Sequence, residues 1–371
     1  MTEVQVLSLQ TTVVWAIFGI AFALGVVMSR SNFCTMGALS DIVNMGDWTR
    51  MRMWLFAIAT AIFGTAVLSF TGTINLTSSI YTGNKVLWLS NLIGGLLFGF
   101  GMVLASGCGS KTLIRLGAGS LKSLLVFIVM GLFAYMTLRG IFGVIRVSFL
   151  DPVILSLPGS QDVSSMIATA AGAGTAKIRF VIAITIASVI AIFCLLSKEF
   201  RSVQPLVSSL LIGLAIVAGW YVSGALGNVE EDPRTLTQAY LSTNSGRMES
   251  FSFVAPVAYT LELLMFWSDK SRTVTYGIAA TIGMVAGAAV DAILSRQFRW
   301  EGFAGAEDTA NHLVGAALMG VGGVLALGCT VGQGLSGLST LALGSILSFV
   351  AILIGGKLGL SYQTWRVNSM V

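Results

Sequence analysis

Charge is what this sequence has least of. Of 371 residues only 10% are Asp, Glu, Lys or Arg, against roughly 25% in an ordinary soluble domain. With 55% hydrophobic residues and a mean hydropathy of +0.88, a water-soluble fold is all but excluded. Proline is scarce, at 5 residues, and histidine occurs once, as His312. The four cysteines, Cys34, Cys108, Cys194 and Cys329, stand far apart, with no CxxC pair and no zinc-type spacing, so neither a local redox motif nor a metal or cofactor is expected. No GxxxxGK[ST] loop is present, which argues against direct drive by ATP. The 21 Lys and Arg residues leave a net charge of +5 but form no run or stripe. They read as topology signals and lipid-headgroup contacts, and no nucleic-acid partner is expected.

Glycine is abundant, at 43 residues. Pairs such as Gly95 and Gly99, or Gly283 and Gly287, have the spacing that lets membrane helices touch through their backbones. Apolar runs long enough to cross about 30 Å of hydrocarbon begin near Thr12, Arg52, Val86, Leu121, Ile178, Leu206, Thr273, Asn311 and Ala342. The first has no basic segment before it and no small-residue cleavage site after it, so it is expected to be retained as a span. Four shorter stretches lie between the nine: Ser31 to Met45, Gly107 to Gly119, Phe251 to Trp267 and Gly328 to Thr340. Each is too short or too interrupted to cross, and such pieces survive in a bilayer only as re-entrant or broken helices buried in protein. The fold class that follows is an all-α integral membrane protein of one domain.

An internal repeat orders these pieces. "NLIGGLLFGFGMVLASGCG" from Asn91 aligns with "HLVGAALMGVGGVLALGCT" from His312 at a shift of 221 residues, pairing Gly94 with Gly315, Gly101 with Gly322, Gly107 with Gly328 and Cys108 with Cys329. A weaker match at nearly the same shift lays Phe33 on Phe253 and Asp41 on Glu262. Residues 12–141 then form a first half, 178–197 a linking span and 206–360 a second half. Four spans plus one turn the second half upside down, which predicts an inverted repeat. The larger share of Lys and Arg falls on the side reached after the odd-numbered spans. That bias predicts an outside N-terminus and a cytoplasmic C-terminus, and the location expected is a bacterial inner membrane.

Cys34, Cys108 and Cys329 each stand where a short segment starts, and so near a helix N-terminus. Such ends offer unpaired amides and a positive dipole, a ready anion site. Neighbouring Gly107, Gly109, Gly328, Gly332 and Gly334 would let an anion approach the main chain closely, and Thr330 adds a hydroxyl beside Cys329. A thiol is a weak, soft donor, suited to a polarisable sulphur atom rather than a hard oxyanion. A lone membrane cysteine is more often just a small buried hydrophobe, and Cys194, in mid-span with no glycine beside it, is read that way. Three at matching helix starts reverse those odds. The rival is a membrane thiol oxidoreductase or sulphurtransferase working through a persulfide or disulfide.

Other polar residues carry weaker signals. His312 is favoured as a capping side chain over a proton relay. Asp41 and Glu262 hold equivalent places in the two halves and either act within the membrane or cap helix ends at its surface. Lys111 and Arg115 share a helical face and either draw an anion inward or snorkel to headgroups. Trp48, Trp54, Trp88, Trp220, Trp267 and Trp300 fall near span ends and predict an interfacial belt.

The motifs "GMVLASGCG", "GVLALGCTVGQGLSG", "SNFCTMGALSD" and "SRQFRWEGF" resemble those of the YeeE/YedE family of sulphur-transport membrane proteins, over nearly the whole chain. The resemblance implies nine spanning and four short helices in an hourglass, no enzymatic activity, and passage of thiosulfate or a related anion along Cys108, Cys329 and Cys34. It also implies a cytoplasmic sulphur carrier of the TusA type as partner. One departure is Val254 or Ala255 in the second half, opposite Cys34.

Overall fold

The computed structural model describes residues 3–170, 176–233 and 235–369. Its helices are α1 (Glu3–Arg30), α2 (Thr35–Met45), α3 (Thr49–Phe70), α4 (Trp88–Leu104), α5 (Gly109–Gly117), α6 (Leu121–Arg139), α7 (Ile141–Ile145) and α8 (Val163–Ala170). They continue with α9 (Ala176–Leu195), α10 (Val203–Tyr221), α11 (Ala255–Met265), α12 (Tyr276–Leu294), α13 (Ala306–Leu325) and α14 (Leu343–Asn368). Residues 330–339 form a further short helix, wound as a π-helix over Gly332–Gly337. Two antiparallel strand pairs of two residues each pin the long loops, Lys85–Val86 with Leu155–Ser156 and Asn228–Val229 with Ala239–Tyr240.

Eight helices among the described residues are long and apolar enough to cross a membrane. The 20-residue α13 is equally long, but its opening turns hold Glu307, Asp308, Asn311 and His312. The four short segments expected from the sequence are all helical. Two further short helices, α7 and α8, occupy the stretch between α6 and α9 that the sequence reading left unassigned.

Packing follows the glycines. A Cβ on Gly94 would strike the backbone of Gly322 and Ala326, and one on Gly322 would strike Gly94 and Phe98. Likewise Gly101 abuts Gly315, and Gly315 abuts Gly101 and Ala105. The α4–α13 crossing therefore brings main chain against main chain, which only residues without side chains permit. Gly99 does the same against Ile352 and Gly356 on α14, and Gly320 against Met130 and Ala134 on α6. Gly283 and Gly287 press on Phe18 and Phe22 of α1. Around this centre α1 packs on α12, α10 on α3, α4 on α14, and α13 on α6. The linking helix α9 packs on α3 and leaves most of its surface outward.

Buried acids tie the connections down. Asp41 of α2 meets Arg50 at 2.8 Å. Glu262 of α11 meets Arg272 at 3.0 Å and Arg139 at 3.5 Å. Asp41 and Glu262 are thus ion-paired staples between each short helix and the segment that follows it. The tryptophan belt needs correction: Trp48, Trp88, Trp267 and Trp300 are exposed, but Trp54 and Trp220 are fully buried. Trp54 stacks on Phe33 at 4.4 Å, and Trp220 donates to Ser339 Oγ at 2.9 Å. Sequence position near a span end misled here because the short helices fold back over those ends. Cys194 sits next to the last residue of α9 rather than in mid-span, buried against α3 with Arg52 O at 3.5 Å.

Candidate functional site

Three helix breaks of one design build the centre of the molecule. Each consists of four residues between two helices: 31–34, 105–108 and 326–329. In each, the second residue is left-handed: Asn32 (φ 49°), Ser106 (φ 56°) and Leu327 (φ 57°). In each, the third residue's amide reaches back to the carbonyl five positions earlier. These bonds are Phe33 to Met28 (3.3 Å), Gly107 to Met102 (2.8 Å) and Gly328 to Gly323 (2.8 Å). That is the hydrogen bond of a Schellman cap, which ends one helix and turns the chain. The fourth residue is a cysteine every time, and it opens the next helix: Cys34 caps α2, Cys108 caps α5 and Cys329 precedes residue 330. None of the three left-handed residues is glycine, and for Leu327 the conformation is costly.

The breaks bring the thiols into one region of the core. Cys34 is 5% exposed and Cys108 and Cys329 are fully buried, all as free thiols. The side chains of Cys34 and Cys108 interact directly, and Cys108 also meets the Thr330 side chain. Cys108 Sγ lies 3.3 Å from Ser110 Oγ. The Gly332 amide donates to Cys329 Sγ at 3.4 Å, so this thiol sits on the amides of its own helix start. Thr330 thereby joins the two halves of the site. Gly107 and Gly328 pack under the side chains of Lys111 and Gln333, whereas Gly109 has nothing nearer a Cβ than Met130 Sδ at 3.9 Å. Gly334 is filled by the Phe349 ring. Of these glycines, Gly109 keeps the most room beside a cysteine.

Two cavities lead toward this centre from opposite directions. One, of about 190 Å³, is mostly apolar, is capped by the loop after α3 and the loop before α11, and ends on Gly328 and Ser252. The other mouth holds two polar spaces of about 220 and 550 Å³ that share Arg115, Ser120 and Glu301. Gly107 lies in the smaller, and Lys111, Arg296 and Arg299 in the larger. Lys111 and Arg115 therefore line a polar cavity. Lys111 Nζ bonds Asn32 Oδ1 at 3.2 Å, and Arg115 bonds Ser106 O at 2.8 Å. His312 lines the same mouth, but it lies within α13, its Nδ1 on Asp308 O at 2.7 Å, and does not cap the helix end as expected.

Several buried polar atoms around the thiols have no protein partner, namely Thr35 Oγ1, Tyr81 OH, Trp54 Nε1 and Gln333 Oε1, and Thr330 Oγ1 has none beyond the Cys108 thiol. Such atoms are rare in a finished core, and a bound group is one way to satisfy them. Sequence reasoning found Thr330 but missed the rest. Thr35 and Gln333 had a signal, being polar residues inside the cysteine motifs, while Tyr81 lies in a loop with none.

Residues 30–358 match the family described as Sulphur transport. The chain belongs to the sulphur-transport family. The thiosulfate transporter TsuA of Escherichia coli (strain K12) is 26% identical over 335 residues, covering 84% of each chain. The thiosulfate transporter TsuA of Spirochaeta thermophila is 25% identical over 350 residues, covering 92% of this chain and 96% of the relative. This member of the sulphur-transport family is accordingly a multi-pass membrane protein whose relatives are transporters rather than enzymes.

Proposed function

We propose that the chain is a permease for thiosulfate or a closely related small sulphur-containing anion, handed between cysteine thiols at the bilayer midplane. The observation that carries this reading is the convergence of Cys34, Cys108 and Cys329, each buried at the start of a helix, between two cavities that open in opposite directions. The order along the path is Cys329 from the Gly328 cavity, then Cys108 and Cys34, then the basic mouth at Lys111 and Arg115. Helix-end amides serve the oxygens of the anion and the thiols serve its terminal sulphur.

In this reading α13 spans as well, making nine spans in an hourglass, with α1 to α6 repeated inverted as α10 to α14. The contacts support the repeat. Gly94 meets Gly322 while their partners at a shift of 221, Gly315 and Gly101, meet each other. Ser106 and Leu327, left-handed by nearly equal φ, differ by the same shift. The basic mouth would face the cytoplasm of a bacterium with the N-terminus outside. A sulphur carrier of the TusA type is then the natural acceptor at that face.

The test is uptake of labelled thiosulfate into proteoliposomes containing only this chain. Cys108→Ala and Cys329→Ala should each abolish uptake at equal reconstituted protein, Cys34→Ala should reduce it, and Cys194→Ala should leave it unchanged. Normal uptake by Cys108→Ala would remove the thiols from the path.

A further inference from the structure

Tyr81, in the loop between α3 and α4, is 3% exposed, and its hydroxyl finds no protein partner. The residue is nevertheless held in place with care. Its amide donates to Ser79 Oγ at 3.1 Å, and the Ile80 amide, donating to Met248 O, locks its loop to the one before α11. Its ring meets Trp220 edge-on at 6.2 Å, and Trp220 is itself fixed to Ser339. These contacts bring a first-half side chain onto the second-half cysteine helix. A Cβ on Gly332 would lie 3.5 Å from the Tyr81 hydroxyl and 2.6 Å from Ser252 Oγ. The Gly332 amide, on the same residue, donates to the Cys329 thiol. Hydroxyl and thiol thus flank one glycine, which touches Ser252 and Gly328 of the cavity lining.

A buried hydroxyl without a partner weakens the fold, and a phenylalanine would fill the same space without that cost. Its retention is explained if the partner is cargo. We propose that the Tyr81 hydroxyl donates to an oxygen of the anion while Cys329 holds its sulphur, which makes Tyr81 a specificity-determining residue of the first station. The assignment rests on the transport reading above.

Tyr81→Phe deletes one atom and tests it. The purified variant should melt no lower than wild type, because no hydrogen bond within the protein is lost. Its KM for labelled thiosulfate in proteoliposomes should rise about tenfold, the loss expected for one hydrogen bond to a charged ligand. An unchanged KM with normal uptake would overturn the role of Tyr81 and leave the transport reading standing. A lower melting temperature would show that the hydroxyl is bonded within the fold, and would overturn it too. No thiosulfate uptake by wild type would remove both.

Discussion

Cys34, Cys108 and Cys329 differ from Cys194 in what precedes them, not in burial. Each of the three follows a Schellman turn and opens a helix, whereas Cys194 lies within one. Cys108 and Cys329 were legible because glycine and cysteine recur at a fixed shift, and Cys34 because it stands where a short segment starts. Tyr81 was not, since a lone tyrosine in a loop announces nothing until the fold sets it beside Gly332. Glu249 was equally silent in the sequence. It is half-buried in the cavity that ends at Gly328, accepts a bond from Ser245 Oγ at 3.3 Å, and forms no ion pair among the described residues. Facing it are Tyr259 of α11, Tyr276 of α12, Tyr81, and Arg146, which Asp151 already holds at 3.2 Å. Burial pushes the Glu249 carboxyl up from 4.5 to about 7. Because the raised value favours the protonated form in the folded state, the stability it contributes is complete below about pH 4.5 and is lost as pH rises through 7. An ionised Glu249 would also repel an anion in that cavity. Thiosulfate uptake from that side should therefore rise as external pH falls from 8 to 6, and Glu249→Gln should flatten the profile. An unaltered profile in that variant would place the titrating group elsewhere.

At the scale of elements, the long helices were legible from hydropathy and the short ones from their failure to reach spanning length. The helices α7 and α8 were not, because at 5 and 8 residues they are too short to show a period and their positions depend on strand pairing across distant loops. The ion pairs of Asp41 and Glu262 were half legible: repeat-related acids were evident, but their arginine partners follow only from the turn geometry. Glycine contacts give the sharpest element-scale test. A methyl group on Gly99 would meet the carbonyl of Ile352 and, at 2.7 Å, the amide of Gly356. Neither can yield without moving α4 away from α14. Gly99→Ala should lower the melting temperature in detergent, a cost of about 1–3 kcal/mol. Gly19→Ala, with nothing within 4 Å of the added carbon, should not. Equal melting of the two variants would show that the helices are less closely apposed than described.

The whole molecule sets two cavities of unlike chemistry on a shared centre: a mostly apolar one carrying Glu249, and a basic one carrying Lys111, Arg115, Arg296 and Arg299. Half of that asymmetry was legible, since the repeat partners of Lys111 and Arg115 on α5 are Gly332 and Ser336; Glu249, Arg296 and Arg299 lie in loops where the two halves diverge. It bears on the central claim, that soft thiols select the cargo. Amides and arginines alone would admit sulfate as readily as thiosulfate. A preference of about 1 kcal/mol at each of three thiols compounds to roughly a hundredfold. The decisive measurement is competition of unlabelled sulfate against labelled thiosulfate in proteoliposomes of the wild-type chain. Sulfate should fail to compete at equal concentration and take no more than about a tenth of the uptake at tenfold excess, while unlabelled thiosulfate competes fully. Equal competition by the two anions would contradict selection by the cysteines.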